Sequence, residues 1–405
     1  MKNYKHKFKV YKLKEPLAMI YSKKLIPVLL ILFCMLAFSC RTGDQRFIVP
    51  NTGYDWPSKE RYYWPTNGWE TASMQDHKID PAKMELADQF AENDPLSRAL
   101  LVIKDGYMVF EKYYGDGGVD KSTNLHSVTK SFSSALVGIL FDQNYIDSTN
   151  QLMAELMPSY PEFGEITLYH ALTHTTGLSW TEEGIMWENW VASDDWVAEA
   201  LSRGFDTSPG EKFKYSSANS QFLTSLVYYI TGIFPGELAK ERLFDPLGIS
   251  FNVFNEAEVY TRWRDYVKPL SQTWRKDTKG IEIAGTCLYL TSRDMAKFGY
   301  LYLNRGKWED HQVISEEWIR ASTKDHITNV YGRYSYGYHW WITNIDGEAA
   351  FLASGFGGQI IGVVPSLDMV VVLKYEAGNP VHPVSGSEHD DMFLFELVVQ
   401  AANKS

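Results

Sequence analysis

Strand-like runs at both ends of the chain, a helical and loop-rich middle, and a hairpin signature at Asp105-Gly106 predict an α+β fold. The expected architecture is an antiparallel sheet flanked by helices and completed by N- and C-terminal strands, with a helical lobe inserted at about 146–280. A chain of 405 residues is long enough to bury a large core.

Each element has a local reason. Asp80-Pro81 opens a helix to about Glu92, with Asp as N-cap and Pro at the first position, where its missing N–H costs nothing. Ala99–Ile103 and Tyr107–Tyr114 are β-rich runs joined by Asp105-Gly106. Phe132, Ala135, Leu136, Ile139 and Leu140 recur at i, i+3, i+4, i+7 and i+8, which predicts an amphipathic helix ending near Asn144. The middle holds Leu168–His174, the Trp-dense stretch Trp180–Trp196, and a helix Ser220–Thr231 that Gly232 can cap. Thr291-Ser292-Arg293-Asp294 starts an amphipathic helix through about Leu303. Ala349–Ser354, Gln359–Val364 and Met369–Lys374 read as strands, the last two joined by a turn at Pro365-Ser366-Leu367-Asp368. A last helix runs from about Asp391 to Ala402.

Hydrophobic content of 45% and charged content of 22% are ordinary for a globular protein. The 25 Tyr, 21 Phe and 13 Trp are many, and suggest an aromatic-lined cleft beside a core. Net charge is −11, yet the first 39 residues hold eight Lys against one acidic residue, Glu15. Without them 31 basic residues face 49 acidic ones, a net charge of −18. Such a surface repels phosphate backbones, so no nucleic acid partner is expected.

Leu25–Phe38 is an apolar stretch preceded by Lys23-Lys24, short for a membrane span and suited to a secretory leader. Met19 is an alternative start. The stretch ends in Ser39-Cys40, which resembles a bacterial lipobox. That resemblance implies cleavage of residues 1–39, lipidation of Cys40, and a lipid-anchored protein on the periplasmic or outer face of a bacterial cell envelope. The alternative is an uncut signal anchor. Residues 40–80 are rich in Trp, Tyr, Pro and Gly and read as an irregular arm anchored by its aromatics. Cys287 is expected to be a buried small hydrophobe.

Ser127-Val128-Thr129-Lys130 places a hydroxyl and an amine one helical turn apart on one side of a helix start. With the free backbone N–H groups of that start, these are parts of an acyl-transfer site. Tyr215 lies in a loop just before a helix, within Pro209–Ser217. Ala353-Ser354-Gly355-Phe356-Gly357-Gly358 ends a strand in small residues, where backbone can approach a substrate closely. Tyr302-Leu303-Asn304 repeats the Tyr-x-Asn pattern at a helix end, where Tyr302 is expected in the core. His170 and His174 are four apart but lack a third ligand, so no metal is expected. Trp180, Trp187, Trp190 and Trp196 either roof the cleft or pack helices.

With these motifs in this order, the chain resembles the serine β-lactamase-related hydrolases: class C β-lactamases, penicillin-binding proteins, esterases of that fold, and 6-aminohexanoate-dimer hydrolase. The elements that carry the likeness are Ser127/Lys130, Tyr215/Ser217 and Ser354-Gly355, with Leu172–Leu178 and Leu243–Gly248 as further matching stretches. The resemblance implies a β-lactamase/transpeptidase-like fold over residues 81–405. It implies Ser127 as acylated nucleophile, with Lys130 and Tyr215 sharing the general-base and general-acid work. Backbone N–H groups of Ser127 and Phe356 would form the oxyanion hole, and Ser217, Ser354 and Gly355 would contact substrate. No cofactor is implied. The substrate would be a small molecule or short peptide carrying an ester or amide.

Two departures from the family pattern bear on substrate. Ser217 stands where an Asn is usual, and Ala353 stands where β-lactamases carry the Lys that binds the substrate carboxylate. The second departure favours an esterase or amidase over the alternatives of a β-lactamase or a D-Ala-D-Ala carboxypeptidase. A catalytically inactive, ligand-binding lipoprotein is the alternative from another class.

Overall fold

The computed structural model describes residues 53–254, 270–376 and 390–402. The leader, Cys40 and the first part of the arm lie outside the described residues.

The fold is organised around Ser97–Lys104 (β1), whose five consecutive apolar residues, Ala99 to Ile103, are buried on both faces. The strands that follow are β2 (Tyr107–Tyr113), β3 (Thr123–Asn124), β4 (Thr273–Trp274), β5 (Leu288–Leu290), β6 (Lys307–Trp308) and β7 (His311–Gln312). Next come β8 (Ile327–Tyr331), β9 (Tyr334–Tyr336), β10 (Trp341–Ile345), β11 (Glu348–Gly355), β12 (Gln359–Val364) and β13 (Met369–Tyr375). Eight of them form one antiparallel sheet in the order β2-β1-β13-β12-β11-β10-β9-β8. β1 lies beside β13, with Val102 opposite Val371, so strands from the early and late parts of the described chain pair directly. The β1–β2 turn places Asp105 and Gly106 at positive φ (54° and 96°), as the hairpin signature predicts. β3, β5 and β4 make a small second sheet, and β6 and β7 a ribbon.

Alternation along each strand feeds two cores. Leu101, Ile103, Ile361, Val370 and Val372 face one, and Leu100, Val102, Ile360, Val371 and Leu373 face the other. The second core is covered by α1 (Pro81–Asn93), capped by the Asp80 side chain, together with the C-terminal helix Asp390–Ala402.

The first core contains α2 (Thr129–Asp142), the helix that begins just after Ser127. The sequence predicts this helix as amphipathic. Instead Thr129 through Phe141 are all buried, because α2 is enclosed on every side. Two of its serines are spent on neighbouring backbone: Ser131 Oγ donates to His339 O (2.7 Å) and Ser133 Oγ to Ala284 O (3.0 Å). At Gly138 a Cβ would lie 2.4 Å from the Trp318 ring, so no larger residue fits. Between α2 and β5 comes the helical lobe, which includes α3 (Gly184–Val191), α4 (Trp196–Ser202) and α5 (Ser217–Thr231). Then α6 (Ser292–Leu303) packs on the sheet, and its Phe298 stacks on Phe132 at 3.7 Å.

The arm from residue 53 wraps the body through its aromatics. Tyr54 and Trp56 pack on Phe351, and Trp64 on Tyr300 and Trp308. Arg61 holds Asp368 with two hydrogen bonds (2.6 and 2.9 Å).

Replacing Phe132 by Ala removes the ring that ties α2 to α6. The expected cost is about 3–5 kcal/mol, read as a lowered midpoint of urea unfolding.

Candidate active site

Ser127 lies in a single 3-10 turn, His126–Val128, immediately before α2. Asn124 builds this turn: its Oδ1 accepts from the N–H of His126 (2.9 Å) and of Cys287 (3.0 Å), tying it to the β5 approach. One turn further, Lys130 is fully buried and its ammonium meets three acceptors. These are Ser127 Oγ at 3.0 Å, Ser217 Oγ at 3.1 Å and the carbonyl of Gly285 at 2.9 Å. The aromatic ring of Tyr215 is the fourth neighbour, 4.7 Å from Nζ.

Ser217 opens α5, whose N-cap is Ser216, and this helix start brings Tyr215 and Ser217 to Lys130. Glu182 then closes the arrangement. Its carboxylate accepts from the N–H of Ser217 (2.6 Å), from Ser217 Oγ (2.8 Å) and from the indole N–H of Trp180.

Burial disfavours the charged amine and lowers Lys130 to about 8, with the Glu182 charge opposing the shift. Burial also raises the Tyr215 phenol above its ordinary value, against a hydrogen bond to Ser127, so it remains protonated at neutral pH. His126 falls to about 4, first through burial and then through Lys130. Behind Tyr215, the buried rings of His174 and His339 lie 4.5 Å apart, and burial holds both far below the usual imidazole value. The Lys130 pocket is therefore walled by neutral rings, with Glu182 as the nearby charge.

A cleft of about 880 Å3 opens over this group, lined among others by His126, Ser127, Glu182, Tyr215, Ser217 and Phe356. The last strand residue of β11, Gly355, is pressed against the Ser127 turn. A Cβ there would stand 2.4 Å from Leu125 O and 3.1 Å from the Ser127 N, so only glycine permits the approach. That approach carries Phe356 to the cleft beside Ser127, with its ring edge-on to His126 at 5.7 Å.

The structure thus brings together Ser127, Lys130, Tyr215, Ser217 and Phe356. Ser217 is engaged by Lys130 and Glu182. Ser354 and Gly355, expected as substrate contacts, pair with Ile360 and Gln359 and are not among the cleft-lining residues; Gln359 and Phe356 form the wall there. Ala353 is buried. The tryptophans divide: Trp180, Trp190 and Trp196 pack on one another, while Trp187 packs with them and also reaches the cleft wall. Tyr302 is buried between Phe298 and Trp340. Cys287 is buried. His170 and His174 are used separately, the first accepting from Thr167 N–H (3.2 Å) and the second packed on Tyr215. Among the described residues, no group of three or more His, Cys, Asp or Glu side chains suits a metal ion.

Glu182, Gly285, His126 and Lys374 escape sequence reasoning. Glu182 lies 55 positions from Ser127 in a Trp-rich stretch with no spacing that links the two. Gly285 contributes only a carbonyl, which leaves no mark in a side-chain pattern. Lys374 lines the cleft with its amine bonded to Lys121 O (3.2 Å) and Leu290 O (3.1 Å), and burial lowers it to about 7.

Comparison with known proteins shows the family and the fold. The β-lactamase family model matches residues 86–384. The 6-aminohexanoate-dimer hydrolase of Paenarthrobacter ureafaciens is 24% identical over 302 residues, 68% of this chain and 71% of that protein. Among solved structures, a penicillin-binding protein of Bacillus halodurans superposes with a TM-score of 0.59 at 17% identity, covering 76% of this chain and 98% of the other. Simvastatin synthase of Aspergillus terreus gives 0.60 at 15% identity, covering 79% and 96%. With a family match across most of its length, the chain belongs to the β-lactamase family; a hydrolase is among its relatives, and a penicillin-binding protein shares its fold.

Proposed function

We propose that the protein is a serine hydrolase that cleaves an ester or amide through an acyl-enzyme on Ser127. The observation that carries this reading is the 3.0 Å contact between Lys130 Nζ and Ser127 Oγ in a pocket that lowers the lysine toward neutrality. A serine hydroxyl is a weak nucleophile until a base takes its proton.

In the proposed sequence, neutral Lys130 accepts the Ser127 proton as Oγ bonds to the substrate carbonyl carbon. The resulting oxyanion lies at the backbone N–H groups of Ser127 and Phe356, each such donor being worth about 2.7–4 kcal/mol of barrier. Collapse breaks the bond to the leaving group. In this reading Tyr215, kept as a phenol by burial, gives the leaving group its proton and is reprotonated from Lys130. Water then attacks the acyl carbon and gives a proton to Lys130, which passes one to Ser127 Oγ as the acyl–oxygen bond breaks and the acid is released.

The relative named 6-aminohexanoate-dimer hydrolase is, by that name, a hydrolase of a small dimer, which fits this reading. The penicillin-binding-protein likeness supports the rival reading, a β-lactam or D-Ala-D-Ala substrate. Ala353 argues against that rival, since a buried methyl replaces the cation that would hold a carboxylate. A short-chain nitrophenyl ester is therefore expected to turn over faster than a chromogenic cephalosporin. Comparable rates would reverse the order.

A fluorophosphonate probe tests the nucleophile. It is expected to label the wild type and leave Ser127→Ala unlabelled; equal labelling of both would sink the proposal. The pH dependence follows from Lys130. Below its pKa the group is an ammonium and cannot accept a proton, so kcat/KM for the ester is expected to rise through about pH 8. A rise centred instead near the ordinary lysine value would exclude Lys130 as the base in its lowered state.

A further inference from the structure

Ser127, Lys130 and Tyr215 leave one feature of the site without a part: a carboxylate two hydrogen bonds from the nucleophile's base. Glu182 reaches Lys130 by way of Ser217. It takes both the backbone N–H and the hydroxyl proton of Ser217. A hydroxyl has one proton. With that proton directed at Glu182, Ser217 Oγ offers Lys130 only lone pairs.

The consequence for Lys130 is geometric. A neutral amine has two N–H bonds and one lone pair. The Gly285 carbonyl can only accept, and it takes one N–H (2.9 Å). Ser217 Oγ, made an acceptor by Glu182, takes the second (3.1 Å). The remaining direction is the one toward Ser127 Oγ (3.0 Å), and the lone pair is left there. Without a carboxylate at 182, the Ser217 hydroxyl is free to turn and donate to Lys130, competing with Ser127 for that lone pair.

We infer that Glu182 is a positioning residue for acylation, acting through the Ser217 hydroxyl to aim the Lys130 lone pair at Ser127. The inference rests on Ser127 being the acylated group. Glu182 also contributes charge, since it is the group that opposes the lowering of Lys130. The other titratable groups facing Lys130 are Tyr215, held as a phenol, and the imidazoles His126, His174 and His339, all held neutral by burial. None of them supplies a compensating charge near neutral pH.

The test is the rate at which the fluorophosphonate probe labels the protein as a function of pH. The step forms the Ser127 Oγ–P bond, breaks P–F and releases fluoride, with the serine proton passing to Lys130. No knowledge of the natural substrate is needed. Glu182→Gln keeps the shape, loses the charge and presents an amide that cannot act as a two-oxygen acceptor. Its plateau labelling rate is expected to fall by about tenfold or more, within the range of general-base effects. Its acid limb is expected to move to lower pH, because the charge that supports the ammonium is gone. Ser217→Ala is expected to lose a similar factor, and Glu182→Gln on top of it to add little, since the relay is already broken. Glu182→Asp, which retains a carboxylate, is expected to recover part of the loss.

An unchanged plateau and limb in Glu182→Gln would overturn the inference, as would losses that multiply in the double variant. A raised KM for the ester with unchanged labelling would make Glu182 a substrate contact instead. If Glu182→Gln does not fold, undiminished labelling of Ser217→Ala overturns the inference alone. Absence of any Ser127-dependent labelling in the wild type is a separate outcome, and it removes the hydrolase reading itself.

Discussion

An amine held away from water, with every direction around it assigned, is the constraint on which the rest of this protein depends. Lys130 is buried among Ser127, Ser217, the Gly285 carbonyl and the Tyr215 ring. Taking an ammonium out of water is expensive unless its N–H groups are satisfied, and here three acceptors come from three separate segments of chain. Partial satisfaction would leave either an unpaired charge or a base with no fixed direction. Full satisfaction among neutral rings, with Glu182 as the nearby charge, leaves a lysine lowered toward neutrality.

The architecture supplies those segments. α2 is enclosed so completely that Ser127 and Lys130 cannot shift independently of the core. The start of α5 and the loop before β5 bring Ser217 and Gly285 from the lobe and the small sheet. From the other side, the sheet delivers Gly355 into near contact with the Ser127 turn. A hydrogen atom in place of a side chain sets that distance, and so sets where a developing oxyanion would find its donors.

Much of the fold was legible because local signals and tertiary demands agree. The Asp105-Gly106 hairpin, the strands β11 to β13 and the α6 helix combine regular hydrophobic periods with matching turn or capping residues. The strands β8 to β10 were not anticipated. They lie at the sheet's far end, are short, and carry exposed polar positions, so no apolar alternation announces them. The amphipathic reading of α2 failed for the opposite reason. Its second face carries Ser, Thr and Gly, residues that look solvent-facing in sequence yet are buried, Ser131 and Ser133 by bonding backbone that only folding supplies.

The same division runs through the site. Sequence by itself paired the candidate nucleophile with its nearest amine, because Ser127 and Lys130 share one helical turn and local geometry alone makes them neighbours. Motif order then nominated Tyr215 and Ser217. Tertiary structure decided what those residues do. It made Ser217 a ligand of Lys130, recruited the Gly285 carbonyl, and set Glu182 against Ser217 across 35 positions of chain. Hydrogen bonds between segments distant in sequence have no period and no fixed spacing, and a backbone carbonyl has no letter of its own. The direction in which a buried proton points is therefore written only in the folded chain.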